Sequence, residues 1–179
     1  MASRFRLLGA ETIHRGRVFT LARERWRGPG AREFVRETIR HPGAVLIVPF
    51  RDASTVLAIR QFRAAARRWL LEFPAGTLER GESPLACARR ELVEEVGHRA
   101  RAWRKLGGVY TAPGFCTEYI HLYAASDLVP KAGELDADEH IEVVPLRLER
   151  LQRLARRGEI EDAKTLSALA IVAQSGGTM

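Results

Sequence analysis

Glu91, Glu94 and Glu95 fall within five residues of one another in the stretch RRELVEEVGH, which runs from Arg89 to His98. If the stretch is helical, Glu91 and Glu95 lie one turn apart, roughly 6 Å along the axis. Glu94 lies on a neighbouring line of the same side. Acids are unfavourable at this end of a helix, where the backbone dipole is negative. Acids three and four apart also repel one another. Carboxylates crowded in this way suit a hard divalent cation such as Mg2+ or Mn2+, which would relieve both penalties. From these residues alone two readings stand: a metal socket, or a solvated acidic face balanced by Arg89 and Arg90.

A helix is well supported here. Ser83 suits the N-cap, Pro84 the first helical position and Gly97 the exit. Leu85, Ala88, Leu92 and Val96 recur at helical spacing and predict the buried stripe. Upstream, RVFTLARERW and REFVRETIR alternate around Gly28-Pro29-Gly30, a hairpin signal. AVLIVPF is a continuous apolar run, expected of a strand covered on both faces. TVLAIRQF follows a turn, and WLLEFPAG reads as a short strand ending at Pro74 and Gly76. Downstream, RAWRKLGGVY, YIHLYAASDL and IEVVPL read as strands, with the acidic loop AGELDADEH before the last. Leu148 to Arg157 and Ala163 to Gln174 read as helices, the second closed by Gly176-Gly177. Strands outnumber helices and do not alternate with them regularly, which favours a mixed-sheet α/β layer arrangement over a doubly wound parallel sheet.

The 179 residues suffice for one ordinary domain, and 46% hydrophobic with 28% charged residues is a globular composition. No stretch approaches the ~20 apolar residues of a membrane span. MASRFRLLGAE lacks the apolar region of a secretory signal, so a cytoplasmic location is expected. Cys87 and Cys116, the only cysteines, make neither a disulfide framework nor a zinc site. Cys87 is expected to be a small buried hydrophobe. The net charge is +7, almost all of the positive charge being arginine. The arginines are scattered, which argues for a basic surface facing a small phosphorylated ligand and against nucleic acid.

The stretch GTLERGESPLACARRELVEEVGH resembles the Nudix box. It places Gly76, Glu82 after five residues, and Arg90-Glu91 after seven more, then Leu92, Glu94-Glu95 and Gly97. The departure is His98, where the family usually has an aliphatic residue. The resemblance implies that Glu91, Glu94 and Glu95, with the backbone carbonyl of Ala75, bind Mg2+ (or Mn2+). It also implies that Arg90 pairs with Glu82 to lock the loop against the helix.

Outside the box, the chain resembles the ADP-ribose pyrophosphatases of that family. YTAPGFCTEYIHLYAA places Pro113 sixteen residues after Gly97, and the resemblance assigns Pro113, Gly114 and Glu118 to substrate, Glu118 at the terminal ribose. IRQFR places Arg63 where the subfamily has an arginine that reaches a substrate phosphate. RGRVFTL and VRETIRHPGAV resemble strands that swap between two subunits and help form the adenine site, with Glu37 and Val18 near the base. DADEHIEVV resembles the loop that carries a catalytic glutamate, here Glu139, with Asp136, Asp138 and Glu142 as competitors. The resemblance therefore implies a Nudix-type α/β/α sandwich with a mixed central sheet, plus an N-terminal antiparallel strand region, and a homodimer with dimer-forming strands in residues 1–42 and a Nudix hydrolase domain in 43–179. It would hydrolyse ADP-ribose, or alternatively GDP-mannose or another nucleoside diphosphate derivative. A non-catalytic nucleotide- or RNA-binding module is a further alternative, which the intact set of acids disfavours.

Overall fold

The structure is a computed structural model that describes residues 5–133 and 140–174. The described chain forms two compact units. One consists of the residues up to Gly43 together with Tyr110–Tyr119, and the other of Ala44–Val109 with the residues from Ile120 onward.

The first unit is an antiparallel sheet of β1 (Arg6–Arg15), β2 (Thr20–Arg27) and β3 (Glu33–Arg40), in that order. The β2–β3 turn at Pro29–Ala31 is the hairpin that Gly28-Pro29-Gly30 predicts, with Gly30 left-handed at φ 70°. β1 is not apparent in the sequence. RLLGAETIHR has no clean alternation, and almost every one of its residues is exposed, so no burial pattern marks it. The Tyr110–Tyr119 segment is tied to the end of β3. Ile39 N–H donates to Phe115 O (2.7 Å), Thr117 N–H to Ile39 O (2.9 Å) and His41 N–H to Thr117 Oγ1 (2.9 Å).

In the second unit, β4 (Ala44–Pro49) is buried along its whole length, as the run AVLIVPF predicts. It pairs in parallel with β9 (Tyr119–Pro130) and antiparallel with β7 (Ala75–Thr77). With β8 (His98–Tyr110) these make a mixed sheet in the order β7-β4-β9-β8. A separate antiparallel sheet orders β10 (Ile141–Arg147), β5 (Thr55–Arg63) and β6 (Arg68–Glu72).

WLLEFPAG, expected as one strand, is thus two, β6 in one sheet and β7 in the other, separated by Phe73 and Pro74. Pro74 has no N–H to give a ladder, but its carbonyl accepts from Ile47 N–H (2.9 Å). Phe73 is fully buried, and its N–H donates to Thr165 Oγ1 (2.9 Å).

Successive residues of β4 face opposite layers, as strand pleating requires. Val45 and Ile47 pack with Ala88, Leu92 and Val96 of α1 (Pro84–Val96). Leu46 and Val48 pack with Leu148 and Leu151 of α2 (Leu148–Arg156) and with Ala168, Leu169 and Val172 of α3 (Ala163–Gln174). Covering both faces of the mixed sheet with helices is what allows β4 to be apolar throughout. Replacing Thr165 by Val keeps the shape but strands the buried Phe73 N–H. Thr165→Val is expected to lose about 1–3 kcal/mol of unfolding free energy in a denaturant titration.

Candidate active site

α1 begins and ends as its residues dictate. Ser83 Oγ accepts from Ala86 N–H (3.3 Å), and Gly97 closes the helix in the left-handed region at φ 69°. The buried stripe contains more than the apolar residues. Cys87, Glu91 and Glu95, spaced four apart, are buried alongside Ala88, Leu92 and Val96. Two carboxylates therefore lie on the inward side of the helix, Glu91 8% and Glu95 3% exposed. Burying a carboxylate costs far more than exposing it unless hydrogen bonds and charge answer it.

Strand β7 supplies part of that answer. Ala75 N–H donates to Glu95 Oε2 (2.9 Å). The Glu91 carboxylate rests against the backbone of Gly76, so closely that a Cβ there would lie 1.8 Å from its Cδ and Oε1. Glycine at 76 is thus required by close approach of a side chain.

Arg90 supplies the rest. Its Nε and Nη2 donate to the two oxygens of Glu82 (both 3.1 Å), and Nη2 also reaches Thr77 O (3.2 Å). Its Nη1 donates to Glu91 Oε1 (2.7 Å) and Glu94 Oε2 (2.9 Å). Glu79 N–H completes the loop by donating to Glu82 Oε2 (3.0 Å). Hydrogen bonding from Arg90 holds the Glu82 carboxyl below its ordinary pKa, and Glu82 foremost raises that of Arg90. The Arg90–Glu82 lock expected from the sequence is therefore present. Cys87 is fully buried beneath this cluster. Desolvation first, and then the charge of Glu91, push its thiol up to about 12, so it is an inert thiol.

Three carboxylates, those of Glu82, Glu91 and Glu94, hydrogen-bond the single guanidinium of Arg90, and a fourth, Glu95, accepts Ala75 N–H. Among the described residues no group of three or more His, Cys, Asp or Glu side chains is arranged to hold an ion, and Glu91 and Glu94 each turn an oxygen toward Arg90. The donor set, hard carboxylate oxygens, nonetheless fits a divalent cation.

Arg63, at the end of β5, is half-buried. Its Nε and Nη2 form a two-pronged pair with Glu72 (2.9 and 2.7 Å). Burial works against its charge, but Glu72 and then Glu95 outweigh burial and raise its pKa. Glu72 is fully buried and receives a further bond from Lys164. No motif singles out Glu72 or Lys164. Their signals in the sequence are an acid inside the apolar run WLLEF and one of only three lysines, in EDAKT.

The other expected substrate residues lie in the first unit. Glu118 accepts from Thr111 Oγ1 (2.8 Å), and its Oε1 stands 3.7 Å from His41 Nδ1. Pro113 and Gly114 line a cavity of about 360 Å³ with Trp26, Phe34, Arg36 and Thr38, its rim including the buried Glu24. Glu24 is bound by Arg40 (2.7 and 3.0 Å), Thr38 (3.1 Å) and Trp26 Nε1 (3.2 Å). Glu37 is on the opposite face of β3, paired with Arg23 (3.3 Å). Val18 is exposed in the β1–β2 connection. Neither lines that cavity. Glu139, Asp136 and Asp138 lie outside the described residues. Glu142 is on β10, 3.7 Å from Arg60.

The model of the NUDIX domain matches residues 40–169, most of the chain and all of this cluster. The chain belongs to the NUDIX family. Among its NUDIX relatives, the ADP-ribose pyrophosphatase of Bacillus subtilis (strain 168) is 38% identical over 90% of this chain and 89% of its own length. That of Mycobacterium tuberculosis is 36% identical over 94% and 83%. A GDP-mannose pyrophosphatase of Cronobacter sakazakii is 37% identical over 74% and 78%. A crystal structure of an ADP compounds hydrolase superposes with a TM-score of 0.83 at 28% identity, covering 96% of this chain and 94% of that one.

Gly76→Ala forces the Glu91 carboxylate out of its seat. Thermal melting is expected to show a folded protein, while turnover falls by two orders of magnitude, about 2.7 kcal/mol in transition-state stabilisation.

Proposed function

We propose that this NUDIX hydrolase cleaves the pyrophosphate bond of ADP-ribose, yielding AMP and ribose 5-phosphate, with Mg2+ as its ion and Mn2+ as a substitute. The seating of Glu91 against Gly76 and of Glu95 on Ala75 N–H carries this reading, since it gathers charge where a pyrophosphate-bound cation is needed. The names of the B. subtilis and M. tuberculosis relatives support the choice of ADP-ribose.

Glu91 and Glu95, with Glu94 and the carbonyl of Ala75, would hold the divalent ion. When bound, the ion supplies Lewis-acid neutralisation of the phosphoryl oxygens and a bound water of lowered pKa. The remaining roles belong to the chain itself. Arg90 keeps the loop and helix in one piece and sets the directions of Glu91 and Glu94. Arg63 presents a guanidinium to the diphosphate, a match of planar donors to phosphate oxygens. Glu118 hydrogen-bonds the terminal ribose beside Pro113 and Gly114, and Glu37 and Val18 serve the adenine. Glu139 takes the proton from the attacking water. No covalent intermediate is required.

A second reading, GDP-mannose as substrate, draws on the relatives of that name. We assign a cytoplasmic setting, supported by two cysteines that are unpaired thiols. We also assign a homodimer built through the strands of residues 1–42. Leu7, Ile13, Phe19 and Val35 of this region are exposed apolar side chains suited to burial against a second copy.

With Mg2+ present, catalytic efficiency for ADP-ribose is expected to exceed that for GDP-mannose, NADH and diadenosine polyphosphates. Chelation or Glu95→Gln should abolish turnover in a folded protein. A preference for GDP-mannose of about ten-fold, some 1.4 kcal/mol, would overturn the substrate assignment. Light scattering at micromolar protein is expected to give twice the 20.1 kDa chain mass, and a monomer would remove the dimer.

A further inference from the structure

Glu72, Lys164 and Asp162, which the reaction does not use, form one connected group of charges around Arg63. Glu72, fully buried at the end of β6, accepts from Arg63 through both carboxylate oxygens. Its Oε2 also accepts from Lys164 Nζ. Lys164, in the first turn of α3, is in turn held by Asp162 Oδ1 (2.8 Å), and Asp162 Oδ2 accepts Thr165 N–H (3.0 Å). Two cations and two anions therefore sum to zero. Core packing alone does not call for such a group, since breaking a buried pair is costly and an apolar replacement is often as stable. What the group achieves is orientation. Glu72 takes Nε and Nη2, the side edge of the Arg63 guanidinium, which fixes the plane and leaves Nη1 outside the pair. Lys164 in turn fixes the carboxylate that fixes Arg63, from a helix whose apolar side chains pack in one cluster with Leu46, Val48 and Phe73.

We infer that Glu72, held by Lys164, is the positioning residue for Arg63, locking the plane of its guanidinium toward the substrate diphosphate. This rests on the phosphate role of Arg63 proposed above. A flexible arginine must be ordered each time substrate binds, whereas an arginine clamped along one edge has already lost that freedom. Glu72 precedes by three residues Ala75, whose N–H donates to Glu95, so the clamp and the carboxylates proposed to hold the metal are carried on one short stretch of chain.

The test is a double-mutant cycle on the full chain, using whichever nucleoside diphosphate sugar the wild type turns over fastest. Glu72→Gln keeps the shape of the side chain and removes its charge. It is expected to raise KM by about ten-fold, within the coupling range of groups sharing one ion-pair network, with a smaller change in kcat. In an Arg63→Met background the same substitution should change kcat/KM by less than about two-fold, because nothing is left to position. Equal effects of Glu72→Gln in both backgrounds, or melting loss with an unchanged KM, would overturn the inference. An Arg63→Met protein with wild-type kcat/KM would instead remove Arg63 from the substrate and take the proposed phosphate role with it. If Glu72→Gln does not fold, Lys164→Met runs the same cycle from the rim of the group, with Lys164→Arg expected to restore KM.

Discussion

Glu91 and Glu95 are buried on the inward face of the last turns of α1, where the backbone dipole already disfavours negative charge. The surrounding unit answers that constraint at specific atoms. Ala75 gives its N–H to Glu95, Gly76 has no side chain and so lets Glu91 lie on the backbone, and Arg90 spans Glu82, Glu91 and Glu94. The acids are thereby held at fixed oxygens on one loop and helix, a set of hard donors of the kind a divalent ion takes.

Two guanidiniums are handled differently in this unit. Arg90 is spent on the carboxylates of its own loop and helix, with donors on both sides of the fork engaged. Among the described residues Arg63 is gripped along one edge, through Nε and Nη2. The first is a structural cation, and the second is the one proposed to meet the diphosphate. Each is tied to a carboxylate that is itself tied elsewhere, Glu82 to Glu79 N–H and Glu72 to Lys164. Neither arginine depends on a freely rotating partner.

The helix and its acids were legible in the sequence because their signals are local: a cap, a stop, an apolar stripe and a spaced motif. The run from Ala44 to Pro49 was legible because burial on both faces leaves a continuous apolar word. Three things were not. β1 is exposed on both faces and carries no periodicity. The division of WLLEFPAG between two sheets turns on Pro74 and on the partners of its flanks, which are distant in sequence. Glu72 met Lys164 across 92 positions, and no local pattern can announce such a contact. Which face of β3 a residue occupies is set by pleating, and Glu37 lies on the face away from the cavity lined by Phe34, Arg36 and Thr38.

The segment Tyr110–Tyr119 groups with the strands before Gly43, although the chain on either side of it belongs to the other unit. The polypeptide therefore passes from one unit to the other at three places, and cutting it after Gly43 would not isolate the larger one cleanly. The excised piece would take Ile39 and His41 with it and leave Phe115 and Thr117 without the backbone that pins them. A chimera that borrows either region from a relative must borrow both, and the same holds for drift over generations: sequence change at the end of β3 and in the loop around Pro113 should be correlated.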